Sequence, residues 1–140
     1  MLQQLYGQVY IPEAVVDELR RSGRRFASFD PTTYSFLIIE SPTDAAKVRQ
    51  FEEKLDPGEA AALVLALEKV ADYVLLDERA ARRMAQSLGL TVIGVLGVLL
   101  AAKKKNLIPA IRPLIERLSR EPGFHLSPDV TSQVLKEAGE

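Results

Sequence analysis

Along this chain, short apolar runs alternate with longer stretches whose apolar residues recur at helical spacing. Gln8-Val9-Tyr10-Ile11 reads as a strand, and Pro12 follows at a place where the first turn of a helix tolerates proline. A helix is expected from Pro12 to about Arg21. The segment from Arg20 to Thr33 carries RRSGRR and DPTT, so it reads as a loop before a second strand, Tyr34 to Ile39, closed by Pro42. Residues Thr43 to Lys54 suit a polar surface helix that touches the core through Ala46, Val48 and Phe51. Asp56-Pro57 starts a new element. From Gly58 to Val70 the chain is apolar nearly all round, the pattern of a helix packed on several sides.

The clearest supersecondary unit follows. Tyr73-Val74-Leu75-Leu76 is a continuous apolar run, Glu78 to Leu88 has helical spacing through Ala81, Met84, Ala85 and Leu88, and Gly89 ends that helix before Thr91-Val92-Ile93. This β-α-β order predicts parallel strands in an α/β sheet covered on both faces. Ligand sites in such sheets lie beyond the carboxyl ends of the strands, and Asp77 occupies that place. Gly94 and Gly97 open a further helix to Lys105. Pro109 to Ser119 and Pro128 to Ala138 read as two amphipathic helices joined by EPGFHLS, and MLQQLYG reads as the tail of a helix.

Composition narrows the class. A chain of 140 residues, 47% hydrophobic and 26% charged, matches a single domain over residues 1–140 with its own core. It has no cysteine, which excludes disulfides and thiolate metal sites and points to the cytoplasm. The apolar run Val92 to Ala102 is too short to span a bilayer, so no membrane role is expected. A net charge of -1 supplies no global attraction to nucleic acid.

Candidate chemistry rests on acids. In LDPGEAAALVLALEKVADYVLLDERAARR, one carboxylate opens a buried helix and another ends an apolar strand, a placement that suits a metal site. Stepping about 100° per residue along the first long helix puts Val15, Val16 and Leu19 on one face, with Glu18 beside them and Asp17 turned away. Each acid also has a purely structural reading. Glu59 suits the positive end of a helix capped by Asp56, Asp77 suits an N-cap, and Glu18 suits pairing with Arg21 or Arg25. His125, the one histidine, reads as a surface or packing residue. Arg20, Arg21, Arg24, Arg25 and Lys103-Lys104-Lys105 read as solvated ends of elements.

The ordered set IPEAVVDEL, DPGEAAALVLA and YVLLDERAARRMAQSLGLTVIGVLGVLLAAKKKNLIP resembles the PIN-domain nuclease superfamily, in a prokaryotic branch related to VapC toxins, and the likeness runs to the final GFHLSPDVTSQVLKEAGE. The resemblance implies a three-layer α/β/α PIN-like sandwich with a mostly parallel sheet. It implies a metal-dependent ribonuclease, with Glu18, Glu59 and Asp77 binding Mg2+ or Mn2+, Glu78 as a neighbour, and Arg79, Arg82 and Arg83 meeting RNA phosphate. An antitoxin protein is the implied partner. Members of the superfamily begin with an apolar strand ending in aspartate, the first metal ligand, and this sequence shows neither, so it reads as N-terminally truncated. One acid fewer weakens a cation site. A missing middle strand leaves the strands at Tyr10 and Leu75 to pair directly, or leaves unpaired edges that favour a homo-oligomer. The alternative to an enzyme is a catalytically inactive PIN-like module that binds protein or RNA.

Overall fold

Strand β1 (Val9–Ile11) leads through Pro12 into helix α2 (Glu13–Arg21), preceded by the short helix α1 (Leu2–Tyr6). The computed structural model describes residues 1–21, 30–121 and 126–140. Arg24, Arg25 and His125 lie outside the described residues. The described chain packs as two compact units, Tyr6–Ile93 and, separately, Met1–Leu5 with Gly94–Glu140.

In the first unit, β1 pairs in parallel with β2 (Leu37–Ile39), Tyr10 standing opposite Ile38. The strand is shorter than the apolar run that starts at Tyr34. Asp30 accepts the Thr32 N–H at 3.0 Å and starts a 3₁₀ turn over Pro31–Thr33, and the Tyr34 N–H closes it on the Pro31 carbonyl at 3.1 Å. Those bonds hold Tyr34 in the turn. Helix α3 (Ala45–Glu52) is capped by Asp44, and Glu68 accepts the N–H groups of Thr43 and Asp44 at 2.9 and 3.0 Å. Its attachment therefore comes from the next helix as well as from Phe51, its buried apolar contact.

Helix α4 (Pro57–Lys69) is the centre of this unit. Its buried residues, Gly58, Ala60, Ala61, Leu63, Val64, Leu65 and Ala66, lie all round its axis, as its composition predicted. It packs against α2, α3 and two elements that follow it, β3 (Val74–Leu75) and α5 (Arg79–Ser87). It ends at Val70, a β-branched residue held at φ 50 and ψ 52, while the Ala71 N–H bonds back to the Ala66 carbonyl at 3.0 Å. Left-handed backbone at valine is sterically unfavourable, and a closing bond of this kind is what holds it.

The β-α-β unit is present. Strand β3 (Val74–Leu75) runs parallel to β4 (Val92–Ile93), with α5 (Arg79–Ser87) between them in sequence and Ala81 and Ala85 buried in the core. The strands form two separate pairs, β1 with β2 and β3 with β4. Direct pairing of the Tyr10 and Leu75 strands is thus not found among the described residues. Each strand pairs instead with the strand that follows it in sequence. Val9 and Ile11 bond to β2, and Val74 and Leu76 bond to β4, so strand alternation turns the N–H and C=O of Tyr10 and Leu75 away from their partners. Each two-stranded pair has an outer edge on either side, and those of β1 and β3 carry the Tyr10 and Leu75 backbone groups.

In the second unit, α6 (Val95–Lys104), α7 (Arg112–Ser119) and α8 (Pro128–Glu137) bury Leu96, Leu99, Ile111 and Ile115. Helix α7 begins at Arg112 rather than Pro109, and the Ile111 and Arg112 N–H groups at its start are taken by Glu140. Glu140 clips this unit together. Its carboxylate accepts the Ile111 N–H at 2.8 Å, the Lys103 ammonium at 3.0 Å and the Arg112 N–H at 3.2 Å. The Ile111 N–H, then Lys103, hold this carboxyl down at about 2. Lys103 is accordingly an ion-pair partner, while Lys104 and Lys105 are solvated.

Candidate functional site

Four acids from three elements line one open cavity of about 170 Å³ in the first unit: Glu18 of α2, Glu59 of α4, and Asp77 and Glu78 just past β3. Its apolar wall is Val15, Ala62, Leu75 and Leu76. The three acids expected from the sequence therefore line the same cavity. Glu18 is half-buried and Asp17 exposed, as helical spacing requires. Arg79, Arg82 and Arg83 do not line the cavity. They lie on α5, which starts directly after Glu78, with Arg79 and Arg83 exposed.

The α4 N-terminus organises this cavity. Its first turn is short of donors because Pro57 has no N–H. Glu18 takes the Gly58 N–H at 2.9 Å, Asp56 takes the Glu59 N–H at 2.8 Å, and the Ala60 N–H bonds to the Asp56 carbonyl at 3.0 Å. Every first-turn donor is thus spent within the chain. This helix end cannot also serve as a phosphate cradle without losing one of those bonds. The expected Asp56 cap is present, whereas the expected pairing of Glu18 with Arg21 is replaced by a tie to α4. At α5 the capping position falls on Glu78, one residue past Asp77, and the Glu78 side chain makes no capping bond.

Glu59 is the electrostatically unusual member. Burial pushes its carboxyl up to about 7, and the neighbouring Asp56 carboxylate and then Glu78 push the same way. Its Oε2 is buried without a hydrogen-bond partner among the described residues. Folding raises this group from 4.5, so the stability linked to it is complete below about pH 4.5 and declines as pH climbs through about 7. Wild-type melting temperature should therefore fall between about pH 5 and about pH 8, and Glu59→Gln should flatten that fall. Solvent screening of a partly exposed group limits the difference to on the order of 1 kcal/mol. Parallel pH profiles of the two proteins in a melting experiment would exclude Glu59 as the source.

A family model for the PIN domain, DUF3368, matches residues 1–140. The chain belongs to the PIN-domain family. No curated protein and no solved structure matches it. Family membership agrees with the α/β character of this PIN domain and its parallel strand pairs, and it brings a nuclease-type fold associated with nucleic acid and divalent metal. No described helix is long and apolar enough to cross a membrane.

A hard cation suits the donor chemistry of this PIN domain's cavity, whose polar side chains are all carboxylates, one with an orphaned buried oxygen. Among the described residues, no three His, Cys, Asp or Glu side chains stand together as a metal-holding group. Magnesium in phosphoryl-transfer sites commonly takes only one or two carboxylates and completes its shell with water and phosphate. Sequence reasoning identified Asp56 only as a cap and overlooked Gly58. The signal was present in DPGE, where a glycine sits inside the first turn of an otherwise strong helix.

Proposed function

We propose that residues 1–140 form one PIN-like domain that acts in the cytoplasm as a metal-dependent ribonuclease of the VapC type. Glu18, Glu59 and Asp77 would hold Mg2+ or Mn2+, with Glu78 beside them. The observation that carries this reading is the meeting of these acids, distant in sequence, on one cavity past the end of β3. A bound cation supplies an activated water and stabilises charge at the scissile phosphate. The protein's own groups do the rest. Asp77 presents a carboxylate at the open mouth, Glu18 is aimed by the Gly58 N–H, and Glu59 gives up the proton it holds near neutrality in order to act as an anion. Arg79, Arg82 and Arg83, which lie on α5, would meet RNA phosphates, which guanidinium groups bind in bidentate fashion. Calorimetric titration with manganese, together with an RNA cleavage assay, tests this. Absence of binding at millimolar metal removes the ribonuclease assignment.

One observation favours a second reading, an inactive PIN-like module that binds protein or RNA. Glu18 is already bonded to Gly58, Glu59 shares its surroundings with Asp56, and no three acids among the described residues form a metal-holding group. RNA binding without metal and without cleavage would support it.

The proposed partners are RNA, an antitoxin protein and a second copy of the chain. The open edges at Tyr10 and Leu75, which are 39% and 47% exposed, support association along a strand. Light scattering at micromolar concentration should report a dimer or larger species. A monomer there removes the homo-oligomer.

A further inference from the structure

Gly58 occupies a position where a side chain would displace the flexible end of Glu18. A Cβ on its backbone would lie 2.6 Å from Glu18 Oε2 and 2.8 Å from both Glu18 Cδ and Oε1, so something must shift to admit it. By contrast, Gly7, Gly89 and Gly139 adopt φ between 72 and 78 and have nothing within 4 Å of a Cβ. Those three answer to backbone conformation. Gly58 lies in α4, where alanine would ordinarily be better by about 1 kcal/mol, so its reason is space.

The space is used by one group. Glu18 reaches from α2 to the first turn of α4 and accepts the Gly58 N–H at 2.9 Å, and both residues line the acid cavity. A carboxylate here also meets the positive end of the helix. We propose that Gly58 is a positioning residue: its lack of a side chain allows the Glu18 carboxylate to rest on the α4 backbone, and this contact sets where Glu18 enters the cavity. The role in metal binding rests on the proposed ribonuclease reading, whereas the placement of Glu18 does not.

Two measurements separate these parts. The first is a double-mutant cycle in melting temperature on the full chain, using Gly58→Ala and Glu18→Ala alone and together. Gly58→Ala should lower the melting temperature despite alanine's better helix propensity, and in the Glu18→Ala background the same change should be neutral or stabilising. An equal effect in both backgrounds overturns the proposal. Should Gly58→Ala fail to fold, folding of the double variant supports the proposal and its failure to fold overturns it.

The second measurement is calorimetric titration with manganese alone. Gly58→Ala should weaken binding by about tenfold or more, the usual effect of disturbing the groups that orient metal ligands. Adding Glu18→Asp, one methylene shorter, should recover part of that loss. Wild-type affinity in folded Gly58→Ala, or a loss that Glu18→Asp does not relieve, overturns the metal-positioning role. If the wild type itself binds no manganese, the ribonuclease reading fails, and the melting cycle alone decides the placement of Glu18.

Discussion

Asp77→Asn should abolish manganese-dependent RNA cleavage while leaving the buried core intact. Asp77 is exposed at the mouth of the cavity, outside the buried core of α4, and the N-cap of α5 falls on Glu78. Its loss should therefore remove little packing. What it removes is one negative charge where a cation would sit. Metal ions supply several kcal/mol of charge stabilisation to phosphodiester hydrolysis, so losing the ion corresponds to about three orders of magnitude in rate or more. Glu59→Gln should give a comparable loss of cleavage and also flatten the fall in stability with rising pH, since it removes a carboxyl that burial makes costly to ionise. Retained cleavage in both variants would exclude the acid cavity as the reaction site.

The largest effect on stability is expected at Leu63. This residue has no exposed surface and lies in the cluster that α4 forms with Phe51, Leu55, Val74, Leu76, Ala81 and Ala85. Leu63→Ala deletes buried carbon and leaves a cavity that a densely packed helix cannot close. Such changes cost about 2 to 5 kcal/mol, and a value near 3 kcal/mol suits a site walled by alanines and branched side chains that have little freedom to collapse. Urea unfolding followed by circular dichroism should show a lower midpoint with an unchanged slope. A shift below about 1 kcal/mol would mean that the first unit does not depend on α4 as its centre.

The elements were legible wherever local pattern and tertiary burial agree. Residues from Gly58 to Val70 are apolar on all sides, and the helix is buried on all sides. The run Tyr73 to Ile93 has strand, helix and strand periods in order, and its strands pair in parallel. Reading failed where local hydrogen bonds outweighed hydrophobicity. Tyr34 and Phe36 are apolar enough for a strand, but the Asp30-capped turn holds Tyr34 out of it. Pro109 suits a helix start, but α7 starts at Arg112, where the distant Glu140 accepts the Ile111 and Arg112 N–H groups.

Spacing along each helix was enough to place Glu18 inward, Asp17 outward and Asp77 beyond a strand, because helical and strand periods depend only on neighbouring residues. Which atoms meet was a different matter. That Glu18 settles on the Gly58 N–H, 40 residues away, depends on how α2 and α4 cross, and the burial that does most to push Glu59 up to about 7 depends on what packs around it. Such contacts follow from packing in three dimensions, where distance and desolvation are set by elements remote in sequence. The identity and facing of the acids belong to the chain. Their charge state and their mutual reach belong to the fold.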